Sequence, residues 1–472
     1  MIRIGTTALL LLIGAFAGVS ALAAPVTWIS STGEQLSRTM PAPALESGRP
    51  EAPPHVRAVP ERTAQTIDGF GGCFNEAGWV ALGKLPEAER QRVFAALFGD
   101  DGCAFALARV PVGASDFALD AYSLADTPDD FELRHFSLER DRRHLLPYIK
   151  AAMAVRPALR CWGSPWSPPA WMKTNRHYSK GSLRWEPAIL RTYATYLARW
   201  VEAYRAEGVD IYALAPQNEP NILNVYPTCL WTAAQLREFV ADHLGPTLRD
   251  RKTNVELWLG LNGDPFNGGE NLNDRLLTVL EDPAAAGFLT GVAFQYDSRN
   301  QIAAASALYP AKKFMQSETE CNRGENSWAD AQRLYGLMRR YLAGGAGSYF
   351  AWNLVLDETG LSTWKWRQNA LVTVDGTTGQ VAYNGEFHVM RHFSRFVRPG
   401  AKRILTTGPW SEQIAFVNPD GSTVFVVANP DATPRELVVA IAGRADSDTF
   451  AATLPAQSVN TFVVAPEPAA RR

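Results

Sequence analysis

The chain has 472 residues, and 46 Lys and Arg against 48 Asp and Glu give a net charge of −2 at pH 7. This balance lacks the basic surplus typical of proteins that bind nucleic acid or anionic membranes, so we expect a neutral partner and no nucleic acid. A hydrophobic fraction of 46% excludes a disordered chain. The length allows a barrel of roughly 250 residues together with a second domain.

Residues 1–23 have the features of a cleavable signal peptide. Arg3 precedes an apolar run from Ala8 to Ala17, and Ala21 and Ala23 are small residues at the spacing of a cleavage site. The apolar run is shorter than a membrane span, and no later segment of the sequence has 18 consecutive apolar residues. The sequence therefore predicts a secreted or periplasmic protein with no integral membrane segment.

Residues 24–64 combine a short alternating stretch, Val26 to Ile29, with a segment rich in proline. Six of residues 41–60 are proline, which excludes a helix or a central strand and indicates a linker or an extended edge crossing. The stretch at Val26 would have no partner in a barrel that starts later. We therefore expect residues 24–64 to pack with a β domain at the other end of the chain.

Residues 65–396 have the pattern of parallel strands joined by helices, because short apolar runs alternate with longer amphipathic segments. Strands are predicted at residues 67–73, 105–111, 158–163, 211–217, 255–261, 291–296, 313–317 and 348–352. Helices are predicted at residues such as 87–97, 140–154, 188–206, 233–244 and 329–342. Eight parallel strands predict a closed α/β barrel, the (β/α)₈ or TIM-barrel fold.

Residues 397–472 are predicted to form an antiparallel β-sandwich domain. Runs rich in Val, Ile, Phe and Thr are separated by Asn-Pro-Asp and Asp-Gly turns. These runs lie at residues 413–417, 423–428, 437–441 and 459–464. We expect this domain to brace the barrel, with sugar binding as the alternative role.

The five cysteines and seven histidines form no pattern typical of a metal site or a nucleophile. The cysteines are widely separated without a C-x-x-C pair, so we expect buried thiols, with one disulfide as the alternative for a pair of them. Only His388 and His392 have helical i, i+4 spacing, and no third ligand accompanies them. The sequence predicts no metal and no cofactor, and it leaves the oligomeric state open.

Two of the predicted strands end in glutamates. The fourth runs into Asn218-Glu219-Pro220, and the seventh ends at Ser317-Glu318. Because the strand ends of such a barrel face one mouth, the two carboxyls are expected to act together. Retaining glycoside hydrolysis needs such a pair about 5 Å apart, one to protonate the leaving oxygen and one to attack the anomeric carbon. Aromatic residues that could form a sugar-binding floor follow other strands: Trp162, Trp166, Trp171, Tyr296 and Trp352.

Motifs along most of residues 27–465 resemble one family of barrel glycosidases. They are Ile67–Gly72, Leu107–Pro111, Ser115–Phe117, Ala125–Phe131, Ser164–Asn175, Asn218–Pro220 and Trp352–Leu354. The family is glycoside hydrolase family 30, which includes glucosylceramidases and endo-β-1,6-glucanases. The resemblance implies a TIM barrel with an associated β-sandwich and a retaining β-glycosidase that uses no cofactor.

The resemblance implies that Glu219 is the acid/base and Glu318 the nucleophile. The other implied site residues are Arg109 beside the nucleophile, Asn218 at the sugar 2-hydroxyl, Asp116 and Trp166 at its far hydroxyls, Trp352 beneath it, and Tyr226, Tyr296 and Asn369 at the mouth. These roles require a protonated Glu219 and an ionised Glu318. We therefore expect burial to raise the pKa of Glu219, and Arg109 to keep Glu318 charged.

Two positions depart from the glucosylceramidase pattern. Glucosylceramidases have Ser-Glu-Ala-Cys at strand seven, whereas this chain has Ser-Glu-Thr-Glu-Cys at residues 317–321, one residue longer. Alignment on the strand selects Glu318 as the nucleophile and alignment on the cysteine selects Glu320. We expect Glu318, because it ends the apolar run directly. Phe294 stands where glucosylceramidases have a histidine. This difference bears on the preference for the aglycone or reducing end and not on the chemistry.

The sequence thus predicts an exported retaining β-glycosidase that acts on a β-glucoside or a β-glucan. Two forms fit equally well, a glucosylceramidase-like exo-enzyme and an endo-β-1,6-glucanase. The alternative within the same fold is a β-xylosidase or β-fucosidase. The alternative outside this class is a barrel that binds carbohydrate without cleaving it, and the presence of both carboxyls argues against that alternative.

Overall fold

The computed structural model describes residues 26–47, 53–262, 272–442 and 448–466. The predicted signal peptide, residues 1–23, lies outside these ranges. Within them, no helix is both long and apolar enough to cross a membrane. All five cysteines are buried and none is paired in a disulfide, so the alternative of one disulfide is wrong.

Eight parallel strands form a nearly closed barrel, which confirms the predicted fold. They are Gly69–Cys73, Leu107–Pro111, Arg160–Ser164, Asp210–Leu214, Glu256–Asn262, Leu289–Gln295, Lys313–Glu318 and Ser348–Asn353. Neighbours in the sheet follow chain order, and the first strand pairs with the eighth. Strands seven and eight meet through the Gly347 N–H, which donates to the Phe314 carbonyl at 2.7 Å, and the Thr319 N–H, which donates to the Phe350 carbonyl at 3.0 Å.

Helices surround the barrel and bury their apolar faces on it. They are Glu76–Gly83, Glu87–Phe98, Glu139–Arg143, Leu145–Val155, Pro187–Ala206, Ala233–Glu238, Gly245–Asp250, Leu272–Leu280, Pro283–Phe288, Ile302–Leu308, Trp328–Ala343 and Gly385–Ser394. The longest helix starts with Pro187, whose missing N–H costs nothing at a first helical position. Its buried residues include Tyr193, Leu197, Trp200 and Tyr204, which recur every three or four positions.

Two predicted helices are interrupted, and in both a proline explains the interruption. The helix expected over residues 140–154 breaks at His144, because the ring of Pro147 would clash with the carbonyl of Arg143 in a continuous helix. The helix expected over residues 233–244 widens to a π-helix at Phe239–Leu244 before Pro246, which cannot donate to the carbonyl four residues earlier.

The second sheet is antiparallel over most of its ten strands and is built from both ends of the chain. Its strands are Val26–Ser31, Arg38–Met40, Glu46–Ser47, Val56–Thr66, Lys402–Thr407, Gln413–Val417, Thr423–Asn429, Arg435–Ile441, Asp448–Leu454 and Ser458–Val464. The first strand pairs antiparallel with the last. A buried apolar core that includes Trp28, Phe425 and Phe462 fills this domain.

The expectation that the proline-rich segment excludes a central strand is wrong at its end. Val56–Thr66 lies inside the second sheet, between Lys402–Thr407 and Arg435–Ile441. Pro60 is tolerated there because pairing with the strand Lys402–Thr407 is interrupted around it: Ala58 and Thr63 have partners, and the residues between them bulge.

The barrel and the second sheet are joined by buried polar contacts. His392, on the last helix, lies 2.9 Å from Ser31 Oγ and 2.8 Å from Thr461 Oγ1, on the two paired terminal strands. The Tyr335 hydroxyl shares its hydrogen between the carbonyls of Glu412 at 3.0 Å and Val426 at 3.2 Å. Burial, with the nearby His388 and Arg391, lowers the pKa of His392 to about 3. The imidazole is therefore neutral in the folded protein.

A neutral buried histidine predicts loss of stability in acid. Unfolding restores a pKa near 6.5, so the contribution of His392 is complete above pH 6.5 and decreases as the pH falls, by about 2 kcal/mol at pH 5. Thermal unfolding between pH 7 and pH 4.5 measures this. His392→Gln should show a flatter dependence of Tm on pH than the unmodified protein. His135→Gln, which changes an exposed histidine, is the control. Equal slopes in all three proteins would contradict the assignment.

Candidate active site

A cavity of about 680 Å³ opens at the carboxyl ends of the barrel strands. Six of the predicted site residues line it: Asp116, Trp166, Glu219, Tyr226, Tyr296 and Glu318. Arg109, Asn218 and Trp352 are buried directly behind this lining and contact it. The structure therefore brings nine of the ten predicted residues to one place.

Glu219 follows strand four in a strained turn. Its φ of +45° lies in the left-handed region, which non-glycine residues seldom adopt. The segment is fixed on both sides, because the Asn218 N–H donates to the Pro165 carbonyl at 2.7 Å and the Trp231 N–H donates to the Pro220 carbonyl at 2.8 Å. Strain of this kind persists where the surroundings hold it and is frequent at functional sites.

The carboxyl of Glu219 has two neutral neighbours. The Tyr226 hydroxyl lies 3.0 Å from its Oε2, and Gln295 Nε2 donates to its Oε1 at 3.1 Å. The Ser317 hydroxyl donates to Gln295 Oε1 at 2.9 Å, which fixes the orientation of the Gln295 amide. Glu219 thus lies among hydrogen-bonding groups that position it without supplying a positive charge.

Glu318, the last residue of strand seven, has a cationic partner. Arg109 Nη1 donates to its Oε2 at 2.6 Å, and the side chains of the pair are 1% and 7% exposed. The Tyr296 hydroxyl lies 3.4 Å from its Oε1. The same guanidinium donates through Nη2 to Asn218 Oδ1 at 2.7 Å and to Ser164 Oγ at 2.9 Å. Arg109 therefore connects the strand-seven carboxylate to the segment that carries Glu219.

The two glutamates differ in their electrostatic surroundings. Burial, together with Glu318 and Asp116, raises the pKa of Glu219 to about 8. Burial, together with Glu318, also raises the pKa of Asp116 to about 8. Burial raises the pKa of Glu318 as well, but Arg109 opposes this effect. Among these three buried carboxyls, the guanidinium contact favours the negative charge on Glu318, so Glu219 carries a proton at neutral pH.

Glu320 lies at the rim of the cavity and is held by two arginines. Arg299 and Arg333 both form ion pairs with it. Its charge is therefore already balanced on the loop side, whereas Glu318 contacts Arg109 and Tyr296 inside the cavity. This arrangement favours Glu318 over Glu320 as the candidate nucleophile.

The floor of the cavity combines stacked indoles with unpaired polar atoms. Trp166 and Trp352 stack with ring centroids 5.1 Å apart. Among the described residues, Asp116 Oδ1 and the indole nitrogen of Trp352 are buried without a hydrogen-bond partner. Buried polar atoms without partners are costly, and a polar ligand such as a sugar would satisfy them.

Of the ten predicted residues, Asn369 is the one that neither lines the cavity nor belongs to the three buried directly behind its lining. Its Oδ1 accepts from the Gly324 N–H at 2.7 Å, and its Nδ2 donates to Glu386 Oε1 at 3.3 Å. Its side chain holds the loop after strand seven from behind. Trp171 likewise supports the site from outside, since its indole donates to the Ala125 carbonyl at 2.8 Å.

Several residues of the site had no role in the sequence prediction. Gln295 and Ser317 are polar residues at the ends of apolar strands, a signal that could have found them. Arg323, Trp366 and Arg367 also line the cavity, but they lie on irregular loops without periodicity. In the described part of the chain, no group of three or more His, Cys, Asp or Glu residues is arranged to hold a metal ion.

A TIM barrel with buried carboxyls at the ends of strands four and seven, over an indole floor, defines a glycoside hydrolase. The chain belongs to glycosyl hydrolase family 30: the TIM-barrel domain of the family matches residues 67–397 and its beta sandwich domain matches residues 400–462. The family assignment made from sequence motifs is thereby confirmed.

The chain is similar to proteins whose names state different activities. The lysosomal acid glucosylceramidase of Mus musculus is 29% identical over 86% of this chain and 82% of its own. An endo-1,6-beta-D-glucanase of Neurospora crassa is 28% identical over 79% of this chain and 80% of its own. The solved structure of the endo-beta1,6-glucanase BT3312 superposes with a TM-score of 0.83 at 27% identity, covering 93% of this chain and 99% of that one.

Replacing Arg109 by lysine should show that its shape matters as well as its charge. Lysine keeps the cation but loses the planar fork that reaches Glu318, Asn218 and Ser164 together. We expect kcat to fall by about 10²-fold, since small displacements of reacting groups cost that much. The control is Arg140→Lys, which alters a fork on the buried Glu76 away from the cavity. Similar losses of kcat in both variants would contradict a special role for Arg109.

Replacing Gln295 by leucine tests the hydrogen bond to Glu219. The amide donor favours the ionised carboxyl, so its loss should raise the pKa of Glu219 and move the alkaline limb of the kcat/KM profile to higher pH. The pH profile on one β-glucoside measures the shift. Gln91→Leu, which changes an exposed helix residue bonded to Glu87, should leave the limb in place. An unmoved limb in Gln295→Leu would mean that the amide does not act on Glu219.

Proposed function

We propose that this family 30 hydrolase is an exported retaining β-glycosidase that cleaves β-glucosidic bonds. The observation that carries the proposal is the unequal pair of carboxyls: Glu318 is paired with Arg109, while Glu219 is hydrogen-bonded by the neutral side chains of Tyr226 and Gln295 and has a pKa of about 8. A retaining mechanism needs one ionised and one protonated carboxyl. Export is supported by the sequence features of residues 1–23 alone.

In the proposed reaction, the sugar binds over Trp352 and Trp166 with its far hydroxyls at Asp116. Glu318 attacks the anomeric carbon while Glu219 gives its proton to the leaving oxygen, and a glycosyl ester on Glu318 forms. Glu219, now ionised, takes a proton from water, and this water cleaves the ester.

Fixed polar groups would support both steps. Asn218 Oδ1 already accepts a hydrogen bond from Arg109, so its amide N–H would be available to the sugar 2-hydroxyl. Arg109 donates to Glu318 at 2.6 Å and would stabilise the carboxylate that is released when the ester breaks. These donors do not need to reorganise during the reaction, because they are held in place by buried contacts.

The substrate we propose is a β-glucoside or β-glucan, as for the glucosylceramidase and endo-1,6-glucanase relatives. A panel of β-1,6-glucan, glucosylceramide and aryl β-glucosides tests this, with aryl β-xyloside and β-fucoside for the alternative within the fold. NMR of the first-formed sugar anomer tests retention. Faster cleavage of the xyloside or fucoside would contradict the choice of sugar, and no turnover of any of them would favour a barrel that only binds.

Replacing Glu318 by glutamine should abolish turnover, with a loss of at least about 10³-fold in kcat, because the amide cannot attack the anomeric carbon. Glu320→Gln is the matched control two residues away and should lose far less activity. Circular dichroism of both variants checks that the barrel is folded. If Glu320→Gln loses more activity than Glu318→Gln, the nucleophile is Glu320.

The role of Glu219 predicts both a pH limb and a dependence on leaving group. Activity should fall as the pH rises through about 8, the pKa of Glu219, because the deprotonated carboxyl cannot protonate the leaving oxygen. Glu219→Ala should remove this limb. It should also slow poor alkyl leaving groups far more than dinitrophenol, which needs no proton. Equal losses on both leaving groups would contradict the assignment of Glu219 as acid.

A further inference from the structure

The outer part of the active-site cavity is rich in arginine. Four arginines line it: Arg299, Arg323, Arg333 and Arg367. They come from the segments that follow barrel strands six, seven and eight. The chain as a whole has a net charge of −2, so this concentration of cations at the mouth is a local feature.

Two of the four arginines have no carboxylate partner among the described residues. Arg299 and Arg333 pair with Glu320, as described above. Arg323 and Arg367 form no ion pair with any residue in the described ranges, and both are exposed to solvent in the mouth. Their guanidinium groups are therefore available to a ligand.

The stem of Arg367 is held next to Arg323 by close packing. A Cβ added to Gly324 would lie 2.5 Å from Arg367 Cγ, so the glycine provides the space that this stem occupies. Gly324 also has a φ of +79°, which favours glycine over other residues. Its N–H is bound by Asn369 Oδ1 at 2.7 Å. The guanidiniums of Arg323 and Arg367, which form no ion pair in the described ranges, thus extend from two adjacent loops whose backbone is fixed.

The balance of charge in the cavity is positive at neutral pH. Four carboxyls line it, Asp116, Glu219, Glu318 and Glu320, but burial keeps the first two protonated, with pKa values of about 8. Four guanidiniums therefore face two carboxylates, and Arg109 lies behind them. A concave site with walls of low dielectric concentrates such a field and attracts ligands of opposite charge.

The geometry indicates which part of the substrate meets these arginines. The floor, made by Asp116 and Trp166, is buried and would enclose the sugar that is cleaved. The remaining part of the bound substrate must therefore extend into the mouth, where Arg323 and Arg367 are exposed. Trp366, next to Arg367, packs edge-on against Tyr226 with ring centroids 5.0 Å apart, and Tyr226 contacts the proposed acid Glu219. The arginine loop is therefore adjacent to the group that would protonate the leaving oxygen.

We propose that Arg323 and Arg367 bind an anionic group, a carboxylate or a phosphate, on the leaving-group side of the substrate. The inference rests on the proposed function and narrows it to β-glucosides with an anionic aglycone. Arginine forks match the planar oxygen pairs of carboxylates and phosphates and form charge-assisted hydrogen bonds with them. A neutral aglycone would leave both guanidiniums without a counter-charge.

Matched substrate pairs test the proposal. Gentiobiose and gentiobionate share the bond and the type of leaving alcohol, but only the second carries a carboxylate. Glucosylglycerol and glucosylglycerol phosphate form the corresponding phosphate pair. The readout is the ratio of kcat/KM for the anionic and the neutral member of each pair. We expect a ratio of at least about 10 for one pair at low ionic strength, decreasing as salt is added. The pair that shows it identifies the anion.

Variants distinguish binding at Arg323 and Arg367 from a general effect of positive charge near the mouth. In the double variant Arg323→Gln/Arg367→Gln the ratio should fall to about 1. Lys365→Gln removes a cation from the same loop that does not line the cavity, and it should retain the ratio. Ratios near 1 in the unmodified enzyme, or a preference that persists in the double variant, would overturn the inference while the glucosidase proposal stands. No turnover of any β-glucoside, neutral or anionic, would overturn both.

Discussion

The buried pair of Arg109 and Glu318 is the interaction on which the active site depends. Removing either partner would destabilise the protein strongly, because an uncompensated buried charge costs about 3–5 kcal/mol. The guanidinium is enclosed by the faces of Trp162 and Trp166, 4.7 Å and 4.6 Å from their ring centroids. It also binds the Asn218 side chain. One residue on strand two thus sets the position of groups on strands three and seven and on the segment that follows strand four.

This pair also determines which of the two glutamates is ionised and which is protonated. Both carboxyls are buried in one cavity, so they cannot both be ionised without a large repulsive cost. Of the two carboxyls, Arg109 donates to that of Glu318, and the charge therefore stays there. Glu219 keeps its proton because burial and the neighbouring Glu318 raise its pKa, and its partners Tyr226 and Gln295 supply no positive charge to offset this. The left-handed backbone at Glu219 and at Tyr296, with φ of +45° and +49°, shows that the fold accepts local strain to hold this arrangement.

Much of this architecture could be predicted from the sequence. The eight barrel strands are short apolar runs, Glu318 ends one of them, and Glu219 lies in the turn that follows another, so periodicity and position were enough to find both glutamates. Three features could not be predicted in this way. Pro60 lies in a bulged strand whose pairing depends on the distant segment Lys402–Thr407. Asn369 holds a loop instead of facing the cavity. The arginines of the mouth come from loops, whose placement depends on tertiary packing and not on local pattern.

Covalent trapping tests the central claim that Glu318 is the nucleophile of a retaining β-glucosidase. The enzyme would be incubated with 2-deoxy-2-fluoro-β-glucosyl fluoride, and the added mass would be located by peptide mass spectrometry. The fluorine slows hydrolysis of the glycosyl ester, so the intermediate accumulates. We expect one added 2-fluoroglucosyl group, on Glu318. A label on Glu320, or an enzyme that turns over β-glucosides but never acquires the label, would contradict it.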